Sequence, residues 1–234
     1  MLKIKLIKNK LYMDIFSEFV EIEKFTPIKI CNHSVDLGLF LNSSNSNIGD
    51  ISIIPSQQKN DIYKYTNLED RNKRFIARKK LYFYLKKKYR LEYFDTNNYN
   101  KPKFKYHQDI HFSFSYAKEC IFIGISSLEI GIDIEYIDKS LNVEQLAHII
   151  MHPAEFDYFC SLATKDKRKF FFRVFNLKEA IIKAIGIGLY YDIKSINILD
   201  IDKNNNYSFE NYKFSIREFE YITQFRLSVC LINK

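Results

Sequence analysis

Two short segments carry the side chains best suited to chemistry. Gly131-Ile132-Asp133-Ile134-Glu135 alternates like a strand: Ile130, Ile132, Ile134 and Tyr136 share one face, and Gly131, Asp133 and Glu135 share the other. Side chains two apart on a strand face lie about 7 Å from each other. Two carboxylates so placed can share a hard cation, which prefers oxygen ligands. Further along, Phe175-Asn176-Leu177-Lys178-Glu179-Ala180-Ile181-Ile182-Lys183 reads as a helix, with Val174, Leu177, Ile181, Ala184 and Ile185 as its apolar stripe. Glu179 and Lys183 are neighbours on another face. Lys178, at about 100° of turn per residue, projects beside Val174, Ile182 and Ile185. An ammonium in that apolar sector must snorkel out or meet an anion. Together the segments offer ligands for a divalent cation and a pyrophosphate. The plainer alternatives are a solvated acidic strand face, a surface ion pair between Glu179 and Lys183, and snorkelling by Lys178.

The surrounding pattern must position these groups. Residues 1–8 read as a strand, 10–25 as a mixed or helical segment, and the polar run 42–47 as a surface loop. A strong helix is expected from Leu68 to about Leu91, with Phe75, Tyr82 and Tyr89 recurring every seven residues and Leu81 and Leu85 widening the stripe. Its other positions are densely basic, from Arg71 to Arg90. Asp95 to Pro102 is a turn-rich connection. Strands follow at about 111–116, 120–126 and 130–136, and helices at about 143–150, 153–162 and 168–186. Gly186-Ile187-Gly188 reads as a helix stop. Strand character returns at 193–199, 206–218 and 222–232. A boundary near 115–125 divides the chain into two α+β halves of similar size.

Composition narrows the class. The chain has 234 residues, 47% of them hydrophobic, enough for a sizeable core in one large domain or two small ones. Only 6 Gly and 4 Pro argue against low-complexity linkers. A net charge of +8 favours an anionic partner: nucleic acid, acidic protein, membrane surface or phosphorylated ligand. Cys31, Cys120, Cys160 and Cys230 are widely spaced, which suggests a reduced, cytoplasmic protein with buried thiols. The amino-terminal residues lack the apolar core of a signal peptide, and no apolar run is long enough to span a bilayer. His107 and His111 have no matching Cys or His cluster, so zinc is not expected. P-loop, G-x-S-x-G and dinucleotide fingerprints are absent.

The two central segments resemble the signature of the 4′-phosphopantetheinyl transferases, which runs roughly G-[IV]-D-[IVL]-E and then, on a helix, [FW]-x-x-K-E-[AS]-x-x-K. Gly186-Ile187-Gly188-Leu189 resembles the family's following G-x-G-L. Upstream, Asn100-Lys101-Pro102 is similar to its G-K-P, and Asp70 to Arg78 to its arginine-rich helix start. Phe112-Ser113-Phe114-Ser115-Tyr116-Ala117 stands where the family has F-N-x-S-H-S, with Ser113 for the Asn, Tyr116 for the His and Ala117 for the final Ser.

The resemblance implies the larger, surfactin-synthetase-activating type. That is an α+β monomer of two pseudo-symmetric halves, each a small, mostly antiparallel sheet packed on a long helix. Residues 1–118 would form the half that contacts coenzyme A phosphates, and 119–234 the half with the metal and pyrophosphate site. The implied activity moves 4′-phosphopantetheine from coenzyme A to a serine of an acidic, helical apo carrier protein, releasing 3′,5′-ADP. The carriers served by the family belong to fatty-acid, polyketide or nonribosomal-peptide synthesis. Asp133, Glu135 and Glu179 would hold Mg²⁺, or Mn²⁺ in its place. Lys178 and Lys183 would flank the diphosphate. Lys73, Arg74, Arg78, Lys101, Ser115 and Tyr116 would meet the adenosine phosphates. Glu179 is the first candidate for general base and Glu155 the second. No membrane or nucleic-acid partner is expected on this reading. The alternatives are a nucleic-acid-binding protein using the basic helix and a silent relative that only binds carriers.

Overall fold

The computed structural model describes residues 23–42, 52, 54, 56–90, 95–96, 101–104, 107, 109–221 and 224–233. The strand expected over 1–8, nearly all of the segment 10–25 and residues 43–47 of the polar run lie outside them.

The described elements are β1 (Phe25–Ile30), β2 (His33–Leu41), α1 (Ser56–Tyr63), α2 (Leu68–Tyr89), β3 (Asp95–Thr96), β4 (Pro102–Lys103), β5 (His111–Ala117), β6 (Cys120–Ser126) and β7 (Ile130–Tyr136). Then come α3 (Val143–Ile150), α4 (Pro153–Ser161), α5 (Thr164–Ile185), β8 (Asn206–Phe209), β9 (Tyr212–Tyr221) and β10 (Phe225–Asn233). Two four-stranded sheets form, in the orders β1-β2-β6-β5 and β7-β10-β9-β8, with β3-β4 as a small ribbon. Every pairing within the larger sheets is antiparallel. The expected α+β class holds, with one long helix against each sheet. The chain passes from the first sheet to the second between β6 and β7, while the expected boundary at 118/119 falls within the β5–β6 hairpin, which turns at Lys118 (φ 50°).

The sheets pack face to face. Val35, Leu37 and Phe122 of the first meet Ile132, Ile134 and Val229 of the second in one buried cluster. The isoleucine face of β7 is therefore core, as its alternation indicates. Its other face lies under α5. That helix ends at Gly186 (φ 85°), the left-handed position expected for a helix stop. Asn67 caps α2 by accepting from Glu69 N–H and Asp70 N–H.

Four expectations change. The inward stripe of α2 is Ala77, Leu81 and Leu85, which pack on β5 and β6; Phe75 turns instead to Ile54 and Ile62, and Tyr82 is only half-buried. Residues 193–199 are two 3₁₀ turns, Ile193–Ser195 and Ile198–Asp200, and no strand. Asp192 and Asn197 accept from backbone N–H groups two residues on, which competes with strand pairing. The strand expected over 206–218 is broken at Glu210 (φ 51°) into β8 and β9. Of the four free cysteines, only Cys120 and Cys230 are buried. Among the described residues no helix is long and apolar enough to cross a membrane.

Candidate active site

The site begins with a close approach. A Cβ on Gly131 would lie 2.0 Å from the Ala180 carbonyl oxygen and 2.2 Å from the Ala184 nitrogen. Only glycine lets β7 run this near the backbone of α5. Two residues on, Asp133 is carried under the helix and is 2% exposed. The solvated-face alternative is thereby overturned for this carboxylate.

Asp133 is held from several sides. Its Oδ1 accepts from Lys183 Nζ at 2.6 Å and Ser115 Oγ at 2.8 Å, and its Oδ2 from Asn176 Nδ2 at 2.8 Å. Lys183 also reaches Ser115 Oγ at 3.1 Å. Strand β5 brings Ser115 here. The hydroxyls of Ser113 and Ser115 accept from Ile132 N–H and Ile134 N–H, satisfying the outer edge of β7.

Glu135 and Glu179 share this electrostatic neighbourhood. Burial, then the charge of Asp133, push Glu135 up to about 8; Lys183 opposes this and Glu179 adds to it. Burial also raises Glu179, with Lys183 opposing and Asp133 reinforcing. Burial would lower Lys183, but Asp133, followed by Glu179 and Glu135, holds it above its ordinary value. Three carboxylates thus influence one another around a single ammonium. Among the described residues no three His, Cys, Asp or Glu side chains converge closely enough, as they lie, to hold a metal ion. Instead the Lys183 ammonium stands against Asp133. The donor chemistry still suits a hard divalent cation: every ligand is a carboxylate, and one lysine does not balance three.

Lys178 and Glu155 are not brought into this cluster. Both side chains are fully buried and pair at 2.7 Å. Lys178 Nζ also donates to the Ile150 and Ile193 carbonyls at 2.8 and 3.0 Å, so each of its three protons has a protein acceptor. Glu155 closes a capping box at the start of α4 by accepting from His152 N–H, and it accepts from Ile198 N–H at 2.7 Å. Burial lowers the pKa of Lys178, and Glu155 partly restores it. Lys178 does not snorkel, and it and Glu155 are sealed from solvent against each other.

The expected phosphate contacts divide. Strand alternation sends Ser115 toward Asp133 and Tyr116 toward α2, on opposite faces of β5. Arg74 lies 3.5 Å from the ring centre of Tyr65 and 4.8 Å from that of Tyr116. Burial raises the pKa of the Tyr116 phenol, with the charges of Arg78 and Arg74 opposing. Lys73 is buried and donates to the Lys118 carbonyl at 3.1 Å, with Asp70 also 3.1 Å away. Lys101 lies at the carboxy-terminal end of α5. It donates to the Ala184 carbonyl at 2.8 Å and to Glu129 at 2.5 Å. Although burial opposes it, the hydrogen bond from His111 and the charge of Lys101 draw Glu129 down to about 2. Basic residues Lys86, Lys87 and Arg90 are exposed at the far end of α2.

Sequence reasoning missed Asn176, Ser228 and the capping role of Ser113. One signal was present: Asn176, Glu179 and Lys183 recur at i, i+3 and i+7, on one helix face. Ser228 had none, because its place depends on β10 pairing opposite Asp133.

Comparison with known proteins bears out the resemblance read from the motifs. Residues 129–230 match the profile of the 4′-phosphopantetheinyl transferase superfamily. The 4′-phosphopantetheinyl transferase gsp of Aneurinibacillus migulanus is 37% identical over 111 residues, covering 47% of this chain and 44% of its own. The 4′-phosphopantetheinyl transferase HetI of a Nostoc species is 34% identical over 79 residues, 33% of each chain. The 4′-phosphopantetheinyl transferase Sfp of Bacillus subtilis is 23% identical over 152 residues, covering 63% of this chain and 67% of its own. The matches to the first two span less than half of those relatives.

Proposed function

We propose that this protein transfers 4′-phosphopantetheine from coenzyme A to a serine of an apo acyl or peptidyl carrier protein, releasing 3′,5′-ADP. One observation carries the reading. Buried Asp133 pairs with Lys183, and half-buried Glu135 and Glu179 act on the same ammonium, within the segment that resembles the transferases. Asp133, Glu135 and Glu179 would hold Mg²⁺, or Mn²⁺ with the same taste for oxygen. When bound, the cation supplies neutralising charge to a diphosphate.

The chain's own groups do the rest. The serine oxygen forms a bond to the phosphorus that bears the pantetheine arm. The bond from that phosphorus to the bridging oxygen breaks, and the electron pair leaves on the 5′-phosphate of 3′,5′-ADP. Lys183, kept charged by Asp133, stabilises the negative charge that develops there. Glu179 is the group assigned to take the serine proton. Ser115 holds Lys183 and Asp133 together. Arg74, Arg78 and Tyr116 offer one basic surface for the adenosine phosphates, with Lys73 behind them; Lys101 would have to leave Glu129 to join. Lys178 and Glu155 anchor the helix. All the acids come from one chain, so a monomer suffices, and the excess positive charge suits an acidic helical carrier.

Carrier mass tests the proposal. Apo carriers from fatty-acid, polyketide and nonribosomal-peptide systems are incubated with the protein, coenzyme A and Mg²⁺. At least one should gain a single phosphopantetheinyl group. Unchanged masses across the panel, with folded protein, overturn the reading.

A further inference from the structure

We propose that Asn176 is a positioning residue for Asp133 and that Ser228 supports Asn176 by supplying the donor its buried amide oxygen needs; the proposal rests on the cation site read above. Three elements meet here. Asp133 on β7 and Ser228 on β10 are direct partners in the antiparallel register. Asn176 comes down on them from α5. Asp133 is 2% exposed, Asn176 is fully buried and Ser228 is 1% exposed, so water does not supply their hydrogen bonds.

Donor and acceptor chemistry fixes the arrangement. An ionised carboxylate only accepts, so the amide nitrogen of Asn176 must face Asp133 Oδ2, as it does at 2.8 Å. The amide oxygen then needs a donor, and the Ser228 hydroxyl provides it through a short hydrogen bond. The amide nitrogen also lies 3.5 Å from the Arg226 carbonyl oxygen. Flipping the amide would set its oxygen against the carboxylate and the Arg226 carbonyl, two acceptors facing a third. Ser228 therefore acts on Asp133 only through Asn176.

The arrangement divides the two oxygens of Asp133. Oδ2 is tied to the amide, whereas Oδ1 is turned to Lys183 and Ser115. Without Asn176, Oδ2 has no partner in a buried place. The carboxylate would then turn both oxygens toward the Lys183 ammonium, which competes with a cation for the same lone pairs. Groups that orient a ligand in this way commonly change metal affinity by about 10–100-fold when removed.

The experiment measures Mn²⁺ alone, without coenzyme A or carrier, by titration with detection of the free ion by electron paramagnetic resonance. Asn176→Leu keeps the branched shape and removes both amide contacts; Ser228→Ala leaves the amide in place but its buried oxygen without a donor. Asp133→Asn serves as the reference for loss of the site. Asn176→Leu should bind Mn²⁺ about 10–100-fold more weakly than wild type, and Ser228→Ala should shift in the same direction by less. Urea midpoints with and without Mn²⁺ separate positioning from packing. A positioning role shrinks the increment that Mn²⁺ adds, whereas a packing role lowers both midpoints equally. Wild-type affinity in both variants overturns the positioning role and leaves the site standing. Wild-type protein that binds no Mn²⁺, or Asp133→Asn that binds it as well as wild type, overturns the site and the positioning role together. Should Asn176→Leu fail to fold, Ser228→Ala decides the question by the same readout.

Discussion

Lys178 and Lys183 stand five positions apart on α5, and both donate to a carboxylate, yet their surroundings differ in charge balance. Lys178 meets one carboxylate and two carbonyls in a sealed space, and its protons are all used. Lys183 meets Asp133 while feeling Glu135 and Glu179 as well, and its side chain stays 30% exposed. The first neighbourhood is closed in charge and hydrogen bonding. The second carries an excess of acid that burial makes costly unless a proton or a cation offsets it. A buried ion pair that closes on itself belongs to the scaffold; one left unbalanced is a place for a ligand.

The largest effect should come from opening the closed side. Lys178→Met leaves Glu155 buried without its cation, and breaking such a pair costs about 3–5 kcal/mol. Urea denaturation should show that loss, with transfer per folded molecule largely kept. Unchanged stability would break the comparison at its first term. On the open side, Asp133→Asn should cut transfer by about 100-fold or more, the scale of losing one group that stabilises developing charge. Stability should fall less than in Lys178→Met. Near-normal turnover at ordinary Mg²⁺ would remove Asp133 from the site.

Gly131→Ala presses a methyl group into the backbone of α5 at Ala180 and Ala184. Overpacking of this kind costs about 1–3 kcal/mol. It should also weaken Mn²⁺ binding, since the helix must retreat from the strand that carries Asp133; calorimetry and Mn²⁺ titration read the two effects. The last effect is a slope. Glu135 has its folded pKa raised to about 8, above the ordinary glutamate value of 4.5. Its contribution to stability is therefore fully present below the unfolded value and is lost as pH rises through about 8. Urea midpoints of metal-free protein should decline over that window. Both Mg²⁺ and Glu135→Gln should flatten the decline, and an identical slope in Glu135→Gln would refute its assignment to Glu135.

Sequence alone was enough for the strands 111–116, 120–126 and 130–136, for the helices around 68–91 and 168–186 (the second begins four residues earlier, at Thr164), and for the glycine that stops the second of them. Each of these rests on local periodicity or a local backbone preference. The motif pair around Asp133 and Lys183 was equally legible, because residue types and spacing are properties of the chain itself. Tertiary structure decided what each face meets. Asp133 looked exposed because alternation sets it opposite the isoleucines, but α5 covers that face as well. Lys178 and Lys183 were both expected beside the diphosphate until Glu155, distant in sequence, closed around one and left the other among acids. Ser115 and Tyr116 are chain neighbours that the pleat sends to opposite faces. Asn176, Ser228 and Asp133 lie far apart along the chain, and their hydrogen bonds exist only because strand register and helix packing bring them together. Periodicity assigns a side chain to a face; the partner across that face is set by long-range packing, and charge balance depends on the partner.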